Sequence, residues 1–239
     1  MCRWFIQIRR TRKVGPRGGW QAVFMAHGGN DEIADYWNQY ADAYDDAPDH
    51  GLGDLATREA WRVLLQRWLP TRSSEVADLA CGTGSLTALV AGLGHSVVGV
   101  DLAGNMVERA RAKTVEFVEQ VTLKLGDVCH PPIEPASVDV ILARHILWTL
   151  PDPAAALVRW RSLLRPGGRF LLVEGCWWSV GDQDYTDEGR MPWAGGVRAV
   201  DLVEVIEPLV HRIEVLPLTD PLLWGEEVSD ERYLLVGYL

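Results

Sequence analysis

Residues 75–101 read EVADLACGTGSLTALVAGLGHSVVGVD, and the rest of the chain is arranged around them. The apolar run Glu75 to Ala80 has the length of a buried strand. It meets a glycine-rich turn, Cys81-Gly82-Thr83-Gly84, and passes directly into an apolar-periodic segment, Ser85 to Leu93, that reads as a helix. A second strand, His95 to Val100, follows and ends on Asp101. Strand, glycine turn, helix, strand and terminal carboxylate make the first half of a nucleotide-binding α/β unit. Gly82 and Gly84 let a ligand approach the backbone closely, and the helix start behind them offers unpaired N–H groups. Asp101 stands where a carboxylate accepts both hydroxyls of a ribose, so an adenosine-type ligand is expected.

Two details favour S-adenosylmethionine over NAD as that ligand. A dinucleotide fingerprint, G-x-G-x-x-G, needs a third glycine for close helix–strand packing, and that position is Thr87. Asp78, four residues before Gly82, would repel a pyrophosphate but suits the ammonium group of a methionine tail. The run DLACGTG resembles motif I of the class I S-adenosylmethionine-dependent methyltransferases, usually written acid-x-G-x-G-x-G. Ala80 takes the place of the first glycine, at a position read here as needing smallness more than a positive φ. The resemblance implies a Rossmann-like, doubly wound α/β fold with a seven-stranded sheet, mostly parallel with one antiparallel strand. It also implies S-adenosyl-L-methionine as cofactor.

The 239 residues suit one α/β domain with modest additions, and a hydrophobic fraction of 48% supplies a full core. No apolar run approaches the roughly 20 residues of a membrane span. A net charge of −10 argues against nucleic acid as a partner. The cysteines, Cys2, Cys81, Cys129 and Cys176, show no metal-ligand spacing, so no metal is expected. Reduced thiols and a cytoplasmic location follow as the expectation.

Downstream of Asp101, a helix is expected from Leu102 to about Glu119, then a strand, Val121 to Leu125, ending Gly126-Asp127-Val128. In the family the residues after the ribose acid flank the adenine, which implicates Leu102 and Met106. The acid after the next strand accepts the adenine amine there, which implicates Asp127, with the Val128 N–H reaching a ring nitrogen. A fourth strand, Ser137 to Ala143, opens on Arg144-His145-Ile146-Leu147-Trp148. The Ala143 carbonyl could meet the methionine ammonium. In methyltransferases this strand's end faces the transferred methyl group, so Arg144 and Trp148 are expected at the acceptor and His145 as a general base. Nucleobase-amine methyltransferases carry [N/D]-P-P-[Y/F] here, and ARHILW does not match. The phrase LLRPGGRFLLVE resembles the family's turn into its fifth strand, Arg169 to Glu174.

Gly175 to Gly196 lacks periodicity and holds Trp177, Trp178 and Trp193 among acids and glycines. It reads as a lid over an apolar site, with Trp177 and Trp178 as acceptor contacts. A helix, Val197 to Val210, and two strands, His211 to Leu218 and Glu231 to Leu239, close the chain with the antiparallel pair expected of the family.

Upstream, Asp31 to Asp45 spaces Ile33, Tyr36, Trp37, Tyr40 and Tyr44 at helical steps, and Pro48 to Gly51 reads as a turn. The pattern W-x-x-Y-A-x-x-Y-D resembles the cap of small-molecule methyltransferases of the ubiquinone-biosynthesis group (methyltransferase type 11). It implies Tyr36 and Tyr44 near the methionine moiety, with His50 a second candidate base or acceptor contact. Asp54 to Leu69 reads as a scaffold helix completing a helical cap over 31–70. Residues 1–24 carry six basic residues and no acid. They fit an unstructured extension, a transit-like leader, or an over-extended reading frame with Met25 as the start. The expected arrangement is a disordered 1–30 and one methyltransferase domain over 31–239, with its cofactor-binding core at 75–174. It would transfer methyl groups to a small, moderately apolar or aromatic metabolite. A cofactor-binding module with a regulatory role and an NAD-dependent oxidoreductase are the alternatives.

Overall fold

The computed structural model describes residues 30–177, 192–193 and 195–239. The expectations for residues 1–24, for Met25, for Trp178 and for most of the segment 175–196 lie outside the described residues.

The helices α1 (Asn30–Tyr40), α2 (Pro48–Gly51) and α3 (Leu55–Trp68) lead into β1 (Glu75–Leu79), α4 (Ser85–Gly92) and β2 (Ser96–Asp101). Then come α5 (Gly104–Lys113), β3 (Val121–Leu125), β4 (Val138–Arg144), α6 (Pro153–Leu163) and β5 (Leu164–Cys176). The described chain closes with α7 (Ala199–Ile206), β6 (Arg212–Pro217), α8 (Pro221–Trp224) and β7 (Glu231–Tyr238). The sheet has seven strands in the order β3-β2-β1-β4-β5-β7-β6. All neighbours from β3 to β5 pair in parallel, and β7 runs antiparallel between β5 and β6. This is the doubly wound arrangement the sequence predicts. Its strand order reverses between β1 and β4, which opens a crevice at the carboxyl ends of those strands.

Several boundaries differ from the sequence reading. The first helix stops at Tyr40, and Pro48–Gly51 forms one helical turn. α5 ends at Lys113, and the expected continuation towards Glu119 becomes a 3-10 turn at Val115–Phe117. The β-branched Thr114 ends the helix while its hydroxyl donates back to the Ala110 carbonyl, a bond that competes with helix continuation.

The core lies on both faces of the sheet. α6 and α7 bury Leu157, Trp160, Leu202 and Ile206 against Leu79, Ile141 and Leu172. On the other face α3, α4 and α8 bury Trp61, Leu65, Val90 and Trp224 against Val76, Leu142 and Leu234. Three of the eleven tryptophans are fully buried here, and each of these three gives its indole N–H to a carbonyl. Trp61 donates to Leu223 at 2.7 Å, Trp160 to Val128 at 2.7 Å and Trp224 to Leu218 at 2.9 Å. Burying each ring stabilises the fold by roughly 2–3 kcal/mol, and the paired N–H removes the penalty that would otherwise offset it. α3 therefore packs as a layer of the sandwich, while Tyr44, from the segment between α1 and α2, lies over the glycine turn.

Candidate active site

The site begins with the backbone after β1. Ala80, Gly82 and Gly84 all take left-handed conformations, with φ of 62°, 55° and 81°. The sequence reading of Ala80 is corrected here: its position does demand positive φ, and an alanine accepts it at a cost of about 1 kcal/mol. The strain is held by the Cys81 N–H donating to the Val100 carbonyl at 3.0 Å and the Gly84 N–H to Cys81 at 2.9 Å. A Cβ at Gly84 would sit 2.9 Å from the Ala110 backbone, so that glycine also lets α4 and α5 approach.

Two carboxylates flank this turn. Asp101 accepts from the Gly82 N–H at 2.8 Å and from the Ala103 N–H at 2.9 Å, one bond to each oxygen. Its remaining lone pairs can take two ribose hydroxyls. Burial raises its pKa, although these N–H groups oppose the shift. Asp78 is 3% exposed and accepts from the Thr87 hydroxyl at 2.6 Å. Burial pushes its pKa up to about 6, against the Thr87 bond and the charge of Arg144. Thr87, which breaks the dinucleotide fingerprint, thus contributes directly to the site by orienting Asp78.

Beside the turn lies a cavity walled by Tyr44, His50, Asp78, Ala80, Thr83 and Arg144, among others. Tyr44 stacks on His50 with ring centroids 4.3 Å apart and covers Gly82. Burial pushes the Tyr44 phenol up to about 12 and disfavours the His50 imidazolium, so both are neutral at physiological pH. Tyr36 is not among the cavity's walls; it packs against Trp37 and Tyr40.

Sequence reasoning missed the group that fastens this cover. Lys113 donates to Asp45 at 2.8 Å, to Ser85 at 2.7 Å and to Thr83 at 3.0 Å, joining the cover, the glycine turn and α5. Arg109 pairs with Asp42, and Asn105 with Asn38, along the same seam. The signal was present: Met106, Ala110 and Lys113 follow each other at helical steps on one face of α5.

Of the residues expected around the adenine, Met106 is buried with Ala41 and Ala103 beneath Trp37 and Tyr44, while Leu102 is half-buried. Asp127 stands past the end of β3, accepting from the Cys129 N–H at 2.8 Å and from Asn30 at 3.1 Å. Val128 is buried, and its carbonyl takes the Trp160 indole. Ala143 is buried at the end of β4, paired with Leu79.

The residues after β4 separate into two groups. Arg144 turns into the cavity beside Asp78. His145 takes a left-handed φ of 56° and points elsewhere, stacking on Trp224 at 5.7 Å and meeting Trp177 edge-on at 4.9 Å. Trp148 joins that cluster, 5.9 Å from Trp177, with its indole donating to the His145 carbonyl at 2.8 Å. Burial, with the charges of Arg144 and Arg232, holds the His145 pKa well below the usual imidazole range. Its Nε2 is shielded and has no hydrogen-bond partner among the described residues. Under this loop lies Glu174, fully buried at the end of β5, another residue the sequence did not single out. One of its oxygens accepts from Ile146 and Leu147 N–H, both at 3.0 Å, and fixes the turn that carries His145. Burial raises its pKa to about 8, so it is held as the neutral acid near pH 7.

Candidate ligand-binding residues gathered at the carboxyl edge of a doubly wound sheet with a closing antiparallel strand match the arrangement of α/β nucleotide-binding folds. Residues 77–172 match the family described as "Methyltransferase domain". The segment 77–172 thus carries a methyltransferase-type domain, within a fold shared with S-adenosylmethionine-dependent methyltransferases of known structure. It is 34% identical over 143 residues to a ubiquinone biosynthesis O-methyltransferase of Xanthomonas campestris pv. campestris, covering 59% of this chain and 58% of that one. It is 40% identical over 144 residues to an uncharacterized 37.1 kDa protein in transposon TN4556 of Streptomyces fradiae, covering 57% and 41%. The match thus spans about half the length of the curated relatives. Among solved structures, Haemonchus contortus phosphoethanolamine N-methyltransferase 2 in complex with S-adenosyl-L-methionine superimposes with a TM-score of 0.68. That likeness covers 89% of this chain and 60% of the other at 18% identity, and it concerns the fold.

Proposed function

We propose that this protein transfers a methyl group from S-adenosylmethionine to a small, moderately apolar or aromatic metabolite. The observation that carries the reading is the convergence of Asp78, Asp101 and the left-handed glycine turn on the β1–β4 crevice. The donor chemistry fits the cofactor: a carboxylate with lone pairs to spare for ribose hydroxyls, and a second, buried carboxylate for an ammonium group. When bound, the sulfonium supplies an already activated methyl group, so the reaction is an in-line displacement that needs placement above all.

The chain's residues then divide the work. Asp101 anchors the ribose and Asp127 the adenine amine, with the Val128 N–H, Leu102 and Met106 around the base. Tyr44 covers the glycine turn and keeps water from it. Trp148 and Trp177 give the acceptor an apolar, aromatic wall. His145, held neutral and stacked on Trp224 away from the cavity, completes that wall as a packing group rather than as the general base.

Calorimetric titration with S-adenosylmethionine, S-adenosylhomocysteine and NAD tests the cofactor. Saturable binding of the two sulfur nucleotides and none of NAD is expected. A folded sample that binds neither sulfur nucleotide overturns the reading. Turnover on a panel of phenols, enols and amines tests the acceptor. Stoichiometric cofactor binding with no turnover anywhere would instead make this a cofactor-binding module.

A further inference from the structure

Arg144 leaves the sheet at the last residue of β4 and lines the same cavity as Asp78. Its guanidinium donates to the Asp49 carbonyl and lies 5.0 Å from the centre of the Trp61 ring. Among the described residues it forms no ion pair with a carboxylate, and Asp78 is held by Thr87 alone. The charge of Arg144 reaches Asp78 and eases its ionisation, yet no ion pair or hydrogen bond joins the two. The lining thus contains one buried carboxyl and one guanidinium that do not neutralise each other. Opposite charges held apart in a shielded pocket are costly unless a group of complementary charge lies between them.

The head of an α-amino acid has that form. Its ammonium and carboxylate stem from one carbon, so one end can meet Asp78 while the other meets Arg144. The guanidinium is suited to the carboxylate, because its planar fork matches that group in two parallel hydrogen bonds. It is also braced in advance: the Trp61 face and the Asp49 carbonyl restrict the side chain before any ligand arrives. Among the described residues no second cation competes, since burial disfavours the His50 imidazolium and Lys113 is committed to Asp45.

We propose that Arg144 anchors the carboxylate of the cofactor's amino-acid tail, and so selects adenosyl thioethers that carry a complete amino-acid head. This moves Arg144 from the acceptor, where the sequence put it, to the cofactor. The inference rests on the cofactor reading above and refines it.

The test compares three probes by calorimetry on the full chain: S-adenosylhomocysteine, its analogue with the amine but no carboxylate (5′-(3-aminopropylthio)-5′-deoxyadenosine), and 5′-methylthioadenosine, which lacks both groups. The wild type is expected to bind the complete head roughly 10- to 100-fold more tightly than the decarboxylated analogue, as for one charge-assisted pair. Arg144→Met should abolish that ratio while leaving the affinity for 5′-methylthioadenosine within about threefold. Arg144→Lys, which keeps the charge but loses the fork, should retain part of the ratio and decides the matter if the methionine variant does not fold. An equal loss for all three probes, or no loss for any, overturns the proposal and leaves Arg144 as a brace for the Pro48–Gly51 turn. Failure of the folded wild type to bind any probe overturns the cofactor reading itself, and this inference with it.

Discussion

The two edges of the parallel sheet treat their carboxyl groups in opposite ways. At the amino edge, Asp139 near the start of β4 accepts from the Glu75 N–H at 2.9 Å, from Arg72 at 2.8 Å and from Arg165 at 3.1 Å. Burial works against its charge, but these donors outweigh it and its pKa is lowered. At the carboxyl edge, burial raises the pKa of Asp78, Asp101 and Glu174 alike, and one Glu174 oxygen has no partner among the described residues. The left-handed residues Ala80, Gly82, Gly84 and His145 also gather there. One edge is satisfied and adds stability. The other holds strained backbone and under-compensated charge, which a ligand can relieve.

The largest effect should come from the strained edge. Asp101→Ala removes the proposed ribose anchor and two supports of the turn, and should weaken S-adenosylhomocysteine binding roughly 100-fold, about 2.7 kcal/mol, by calorimetry. An unchanged affinity would undo the contrast at its functional end.

Glu174 gives a pH signature. Its folded pKa is raised from 4.5 to about 8, so the folded state holds the proton longer than the unfolded chain does. Its favourable contribution is complete below the unfolded value and is lost as pH rises through about 8. Denaturant melts should lose about 3 kcal/mol from this group between roughly pH 5.5 and 8, and Glu174→Gln should flatten that slope. The same slope in the variant would remove Glu174 from the account.

Asp139→Ala should cost roughly 1–2 kcal/mol in unfolding free energy at neutral pH, chiefly by orphaning the Glu75 N–H. Because the Asp139 pKa is lowered, its stabilisation is present above the ordinary carboxylate range and fades only as pH falls through the lowered value. Cofactor affinity should stay within about twofold of wild type, and a larger change would blur the division between edges.

The smallest effect refines the strain argument. Ala80→Gly should stabilise the protein by about 1 kcal/mol, raising Tm by roughly 2–4 °C in a thermal melt. A lowered Tm would mean that φ at this position is not a cost.

Elements were legible where the local pattern and the tertiary outcome agree. Val121–Leu125 was placed to the residue, and the glycine turn, α4 and β2 fell within a residue of the reading, because buried parallel strands leave continuous apolar runs and their turns need glycine. Asp78 and Asp101 were legible because motif spacing fixes which strand end carries them. Glu174 was not, since an acid after FLLV looks like any strand terminus until the 146–147 N–H groups are seen folded onto it. Lys113 was equally hidden, because its partners Asp45, Thr83 and Ser85 lie 68, 30 and 28 residues away.

The sheet's class, the strand that runs against the others, the glycine turn and the acids at its flanks could all be read from the linear chain. These depend on periodicity and short-range spacing, which the amino-acid order carries intact. Three features came from the folded arrangement instead: Ala80 is left-handed, adjacent Arg144 and His145 face different surroundings, and carboxyls at opposite edges shift in opposite directions. A backbone angle under closure, a side chain's exit direction and the desolvation of a charge each depend on neighbours from distant parts of the chain.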